Sequence, residues 1–347
     1  MSDSMPAMDR VELGKYYELS THLIALRLHE RGFPIEWLNF TSFITTIAGQ
    51  EVGFWVTRCS LSTTFAERAC TRKDVTNHLL SRSGIPVARG RMFRTDEYDQ
   101  AASYATELGV TVVKPVNGMK GKGLTLKVKT IDGFERAWQR AVAPRPPGVL
   151  VERWYRGKEA RFLVVGEQCV AVSAKEPPHV VGDGVSTIQQ LIDAKNSKRR
   201  ESPHLRKRLI HMQGNRVQRV RHQGYELDSV PNRGDAVRLD DSGNISTGAE
   251  SIDITDSIHP SYLDVAVRAA RSMRGLAIAG VDMLIKDFSV PAEGRNHIVV
   301  EVNSHPGIGG HHYPVTGQPR DVAGAIADYC ISQFSALVPS PRPARNG

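Results

Sequence analysis

Towards the C-terminal end of this 347-residue chain, the stretch IAGVDMLIKDFSVPAEGRNHIVVEVNSHPG (residues 278–307) places carboxylates inside apolar runs. Residues 278–285 and 297–302 read as two strands, joined by a polar loop holding Pro291 and Gly294. Asp282 lies in the first run and Glu301 in the second, with Asn303 just beyond it. An uncompensated charge is costly to bury in such surroundings, so these groups need a partner. Glu301 and Asn303 are two positions apart and share a strand face; antiparallel pairing would bring Asp282 to them across the ladder. Two carboxylates and an amide oxygen are hard ligands, which suit Mg²⁺ or Mn²⁺ better than zinc. The plainer alternative is a half-buried hairpin with its charges on the wet side.

Composition narrows the classes open to the chain. With 40% hydrophobic and 24% charged residues it reads as an ordinary soluble globular protein, long enough for two or three domains. No apolar run approaches the roughly 18 residues that a bilayer span requires, so no membrane role is expected. The N-terminus MSDSMPAMDRVELGKYY lacks an apolar stretch and does not read as a secretory signal. Cys59, Cys70, Cys169 and Cys330 have no metal-type spacing and read as free thiols of a reducing cytoplasm. The net charge of +8, from 45 Lys and Arg against 37 Asp and Glu, suits nucleic acid or anionic small molecules such as nucleotides.

Ahead of the hairpin, helical and strand patterns mix. Residues 17–31 carry an apolar stripe at Leu19, Leu23, Ile24, Leu26 and Leu28, stopped by Gly32 and Pro34. With β-like runs at 35–38, 43–47 and 52–56, they predict a small N-terminal α/β lobe. Helices are predicted at 74–83, 98–108, 134–142, 186–194 (capped by Ser186), 258–275 and 321–334. Strands are predicted at 111–113, 124–128, 149–154, 161–165, 169–173 and 236–239, with loops at 177–184 and around NISTGAESIDIT. The Pro- and Arg-rich residues 337–347 are expected to be disordered.

Three further stretches carry chemistry. VVKPVNGMKGKGLTLKV sets a glycine loop between two strands, and its lysines suit a polyphosphate lying under a flap; the alternative is a flexible turn. VERWYRGKEARFLVV is a strand, a turn at Gly157 and a strand. Its backbone could read an adenine edge, with Glu152 or Glu159 accepting ribose hydroxyls, or it is a plain charged hairpin. Residues 198–221 are strongly basic but lack interleaved aromatics, which favours a solvated face or a funnel for anions over nucleic-acid binding. His305, His311 and His312 lie among glycines and Tyr313, which fits a substrate loop better than a metal cluster.

Taken together, these segments resemble the ATP-grasp superfamily of carboxylate–amine ligases, and within it the ATP-grasp domains of cyanophycin synthetase and of bifunctional glutathione synthetases. The resemblance runs from about Cys70 to Phe334 through VVKPVNGMKGKG, VERWYRGKEARFLVV, PPHVVGDGVSTIQQLI, NISTGAESIDITDSIHPSY, IAGVDMLI and VEVNSHPG. It implies an α+β, ATP-grasp fold, two lobes gripping ATP: residues 1–70 as the N-terminal lobe, 71–172 as the lid and 173–336 as the catalytic subdomain. It also implies roles. Lys73 and Lys114 would touch the ATP phosphates, with Gly118, Lys120, Gly121, Lys122 and Gly123 in the flap. Glu152, Arg153 and Trp154 would form the adenine hinge, Glu159 would hold the ribose, and Lys175 would sit near the phosphates. Asp282, Glu301 and Asn303 would ligate magnesium.

The implied reaction is ATP-dependent amide or peptide bond formation through an acyl phosphate, releasing ADP and phosphate, in peptide natural-product synthesis. Lys114, Arg161, Lys175 and Arg238 would be the catalytic cations, and Arg161, Ser246, Thr247, His305 and His312 the substrate contacts. A homodimer or homotetramer is the expected assembly, with amino acids or peptides as substrates. The alternatives are a small-molecule kinase or a non-catalytic nucleotide- or RNA-binding protein. One departure stands out. Relatives carry a pattern like LRxNxNISTGG, whereas here Asp240 holds the arginine position and Ala249 the second glycine. Arg238 could substitute, or Asp240 or Asp241 could select a cationic substrate.

Overall fold

The structure is a computed structural model that describes residues 17–118, 121–241, 243 and 245–336. Lys120, the tail at 337–347, the first sixteen positions of the N-terminal lobe and the side chain of Ser246 lie outside the described residues.

Helix α1 (Leu19–Glu30) begins where Glu18 accepts the Thr21 N–H at 2.9 Å, a side-chain cap on an orphan donor. An antiparallel meander follows: β1 (Glu36–Asn39), β2 (Ser42–Ile47), β3 (Gln50–Trp55) and β4 (Arg58–Cys59). The apolar stripe of α1 packs Leu23, Ile24 and Leu28 against Phe43, Ile47 and Phe54. Two short helices come next, α2 (Thr64–Thr71) and α3 (Lys73–Arg82). The sequence pattern did not suggest α2, whose buried positions are only Ala66, Ala69 and Cys70.

The lid lobe contains β5 (Gly90–Phe93), α4 (Tyr98–Leu108), β6 (Thr111–Pro115), β7 (Thr125–Val128), α5 (Ile131–Val142) and β8 (Val149–Arg153). Its strands pair antiparallel in the order β5-β8-β6-β7. Phe93, Leu108, Val113, Phe134 and Trp138 are among the residues of its own core.

After the Gly157 turn the chain changes sheet. Strands β9 (Lys158–Val165) and β10 (Gln168–Glu176) lead to β11 (His179–Val181), α6 (Ile188–Glu201), α7 (Asn215–His222), β12 (Ala236–Arg238), a 3₁₀ turn (Ile245–Thr247), β13 (Glu250–Asp253) and α8 (Ser261–Ser272). Then come β14 (Ile278–Ile285), β15 (His297–Asn303), the short α9 (Gly309–His312) and α10 (Val322–Ala336). The central sheet is antiparallel, in the order β13-β10-β9-β14-β15, and β11 pairs with β12 apart from it.

Several expectations change here. A boundary at residue 172 would cut β10, because β9 and β10 belong to the central sheet, and the lid sheet ends at Arg153. The stretch expected as a polar loop contains β13, whose pairing with β10 is a long-range contact with no period of its own. Residues 179–181 form a strand rather than loop. Helix α6 is capped by Thr187, not Ser186, through a capping box with Gln190.

The central sheet has two unlike faces. One buries Ala160, Phe162, Val172, Val281 and Met283 under α8 with Tyr262. On the other, Leu163, Val165, Ala171 and Ile278 pack against α1 and α10, while the far end carries Glu159, Arg161, Lys175, Asp282, Glu301 and Asn303. A β-bulge makes that polar end possible. Asp282 opposes Glu301 but Met283 opposes Val299, leaving Val300 as the extra residue. Without it Glu301 would face the opposite side from Asp282, because side chains alternate along a strand.

Gly280 opposes Asn303, and a Cβ there would lie 2.7 Å from Pro306 Cβ. Gly280→Ala should therefore destabilise the fold by about 1–3 kcal/mol through overpacking, read as a lower thermal midpoint. An unchanged midpoint would mean that Pro306 gives way without cost.

Candidate active site

The cluster is built around Asp282, whose residue is 4% exposed. Arg161, directly opposite on β9, grips it with both arms: Nε to Oδ1 at 2.8 Å and Nη2 to Oδ2 at 2.6 Å. Lys175 Nζ lies 3.5 Å from Oδ1 and also pairs closely with Glu159. Asn303 Nδ2 donates to Oδ2 at 3.3 Å and to the Gly280 carbonyl at 3.4 Å. Burial would push the Asp282 carboxyl up, but Arg161 and Lys175 outweigh it and hold it down at about 2. Burial likewise opposes the charge of Arg161, yet Asp282 keeps it above its usual range.

A second bridge joins the flap to the hairpin. Lys73 Nζ, at the start of α3, donates to the Gly118 carbonyl at 2.7 Å and lies 3.2 Å from Glu301 Oε1. It is 13% exposed, so it is not a solvated lysine. Gly121 and Gly123 have φ of +75° and +72°, and a Cβ on Gly123 would meet Pro115 Cγ at 2.8 Å. Both demand glycine. Lys122 is exposed.

The third group is deep in the lid. Lys114 Nζ pairs with Glu152 Oε2 at 2.6 Å, with both side chains under a tenth exposed. Asn77 Nδ2 holds the other oxygen at 2.9 Å. Glu152 is thus enclosed rather than displayed. Beyond it the Arg153 and Trp154 N–H groups donate to the Arg89 and Val110 carbonyls, both at 2.8 Å, the Arg153 residue is exposed, and Lys127 Nζ sits 5.3 Å from the centre of the Trp154 indole. Asn77 carries no sequence signal that would single it out.

Other expected residues have different surroundings. Arg238 is exposed on β12, where its backbone N–H and carbonyl bond Gln223. The guanidinium at the 3₁₀ turn comes instead from α7. Arg216 bonds Asp240 Oδ2 through Nε at 3.0 Å and Nη2 at 2.9 Å, and Nη2 also donates to the Thr247 carbonyl. Arg219 pairs with Asp241, Nη1 to Oδ1 at 2.9 Å. Asp240 and Asp241 are therefore neutralised within the chain, which removes the reason to assign them a cationic substrate. His305 Nδ1 lies 3.1 Å from Arg58 Nη2. His312 Nε2 accepts the Ala323 N–H at 3.0 Å in the first turn of α10, a structural task rather than a substrate contact. Burial holds its neighbour His311 down at about 3, with Arg161 adding to that shift and Asp282 opposing it.

Asp282, Glu301 and Asn303 lie on one face as oxygen donors, the chemistry that Mg²⁺ or Mn²⁺ takes. No group of three or more His, Cys, Asp and Glu disposed to hold a metal occurs among the described residues. Two carboxylates and one amide fit a cation that completes its shell on ligand oxygens, as Mg²⁺ does on phosphates.

No family model matches the chain. It is 33% identical over 320 residues to cyanophycin synthetase of Trichormus variabilis, which covers 89% of this chain and 34% of that protein. It is 31% identical over 322 residues to the bifunctional glutathione biosynthesis protein of Clostridium perfringens, covering 90% of this chain and 41% of that protein. The bifunctional glutathione synthetase of Pasteurella multocida superposes with a TM-score of 0.71 at 26% identity, covering 94% of this chain and 45% of the other. The chain thus spans less than half the length of these relatives. No helix among the described residues is long and apolar enough to cross a membrane.

The Arg161–Asp282 pair makes a pH prediction. Because the folded pKa of Asp282 is depressed to about 2, its contribution is present above the unfolded value of about 4 and is lost as pH falls through that interval. Asp282→Asn should destabilise the protein at neutral pH by about 3 kcal/mol, the low end for a broken buried pair. Its gap from wild type should shrink on acidification from about pH 4 to pH 2, as measured by chemical denaturation. A gap independent of pH would contradict the pairing.

Proposed function

Because the chain belongs to the ATP-grasp ligase superfamily, we propose that it is an ATP- and Mg²⁺-dependent ligase. It would join an amino-acid or peptide carboxylate to an amine through an acyl phosphate, releasing ADP and phosphate. Support comes above all from one observation: Lys73, Arg161 and Lys175 pair with Glu301, Asp282 and Glu159 on one face of the central sheet, while Lys114 pairs with Glu152 in the lid. Cations held by carboxylates in this way are ready to exchange partners when a triphosphate arrives.

The division of labour follows from that geometry. A carboxylate is too poor an electrophile for an amine at neutral pH, and phosphorylation by ATP makes it reactive. Lys73 and Lys114 would bind phosphate oxygens, and Lys73 would draw the Gly118–Gly123 flap down with them. Glu159 would accept ribose hydroxyls. Arg161 and Lys175 would stabilise the charge on the transferring phosphoryl group and then on the tetrahedral oxyanion of amine attack. Asp282, Glu301 and Asn303 would hold Mg²⁺, which supplies charge neutralisation on the phosphates. The closed flap would exclude the water that otherwise hydrolyses the acyl phosphate. We assign the reaction to the cytoplasm and to the assembly of a small peptide product.

Incubation with ATP, Mg²⁺, a panel of amino acids and hydroxylamine should release ADP and trap an acyl hydroxamate. Cleavage of ATP to AMP, or no cleavage with any carboxylate, would sink the assignment, and a stable phosphorylated product would favour a kinase. Glu301→Ala should abolish ADP release while leaving the circular dichroism spectrum intact. Surviving activity in that variant would remove Glu301 from the site.

A further inference from the structure

On the side of the central sheet that α8 covers, opposite the charged cluster, the C-terminal turns of α3 and α8 converge on a cavity of about 320 Å³. Four arginines line it: Arg82 at the end of α3, Arg268 and Arg271 on α8, and Arg274 just beyond that helix. Among the described residues, Leu79 is the one apolar member of its lining, and two serines complete it. The ligase mechanism assigns this cavity nothing. Helix α3 begins at Lys73 and reaches the cavity roughly 14 Å further on, at Arg82.

The four arginines are unequally neutralised. Arg271 pairs with Glu167 in the turn between β9 and β10. Arg268 Nη2 donates to the Ser83 carbonyl at 3.1 Å. The side chains of Arg82 and Arg274 have no partner among the described residues. Basic residues in a last helical turn are ordinarily explained by the negative end of the helix dipole, and Arg82 and Arg271 fit that account. It does not cover the whole set. Each helix end is worth about half a negative charge, so two ends and Glu167 leave the four guanidiniums roughly two charges in excess. Arg268, Arg271 and Arg274 follow one another at three-residue spacing, which brings like charges together. Arg274 also sits at φ +38°, a left-handed conformation in which a side chain is strained and glycine is usual.

A concave surface lined by one sign of charge focuses its potential on the space it encloses, so an anion is the ligand that relieves the excess. Guanidiniums that come from two helices suit phosphates, whose tetrahedral oxygens accept from several directions, better than a carboxylate with two oxygens in one plane. Leu79 alone offers no platform on which a base could stack. The volume lies at the small end of ligand pockets, which points away from an extended polymer.

We propose that the cavity between α3 and α8 binds a small compound carrying two or more phosphate groups and no base. This site is separate from the one proposed for ATP and does not depend on the ligase assignment.

Isothermal titration with tripolyphosphate, with ADP in excess to cover the nucleotide site, tests it. Wild type should bind tripolyphosphate saturably, and about tenfold more tightly than citrate, which offers carboxylates instead. The double variant Arg82→Gln/Arg274→Gln should weaken tripolyphosphate binding about tenfold to a hundredfold while leaving the affinity for ADP unchanged. Arg274→Gly should raise the thermal midpoint by relieving the backbone strain and yet weaken tripolyphosphate binding, a combination that a purely structural arginine would not produce. That single variant carries the test if the double variant does not fold. The absence of saturable binding, equal affinity in wild type and variants, or citrate bound as tightly would overturn the proposal. So would a single-stranded RNA that binds more tightly than tripolyphosphate and is lost in the same variants, which would make the patch a nucleic-acid surface.

Discussion

Nearly everything in the charged cluster depends on how the Asp282 carboxylate is neutralised. It lies inside an apolar strand, and a bare charge there would cost several kcal/mol. Arg161 answers it with two parallel hydrogen bonds, Lys175 adds a second positive charge, and Asn303 supplies a neutral donor. Each of these partners is itself tied to something else. Lys175 also holds Glu159, and Asn303 also holds the Gly280 carbonyl. A change of partner at Asp282 therefore reaches the candidate ribose carboxylate on one side and the hairpin backbone on the other.

Lys73 extends the same logic to the lid. It bonds the Gly118 carbonyl at 2.7 Å while lying 3.2 Å from Glu301. The flap base and a candidate metal ligand thus share one cation. Ligand phosphates that drew Lys73 away from Glu301 would free a carboxylate oxygen and pull on the glycine loop together. The tight Lys114–Glu152 pair does the corresponding work on the lid side, steadied by Asn77.

Much of this was legible in the residues. Carboxylates within apolar runs marked the hairpin, and helix α4 runs over the residues that its pattern predicted, 98–108. The glycine loop and the turn at Gly157 were also visible. What could not be read was register. The bulge at Val300 decides whether Glu301 and Asn303 share a face with Asp282, and nothing in IVVEVN distinguishes a bulged strand from a regular one. Edge strand β13 was hidden because its stability comes from pairing with β10 rather than from its own composition. The basic segment misled in the same way. As a string it suggests a surface for anions, but Arg216, Arg219 and Arg221 pair with Asp240, Asp241 and Glu226, contacts that sequence spacing does not announce.

On the proposed assignment a divalent cation and a nucleotide would enter together, since Asp282 is already held by Arg161 and Lys175. Titration with Mn²⁺, followed by electron paramagnetic resonance with and without a non-hydrolysable ATP analogue, tests this most directly. The account predicts weak Mn²⁺ binding to the protein alone and strongly enhanced binding with the analogue, lost in Glu301→Ala. Equally tight Mn²⁺ binding with and without the analogue would contradict it.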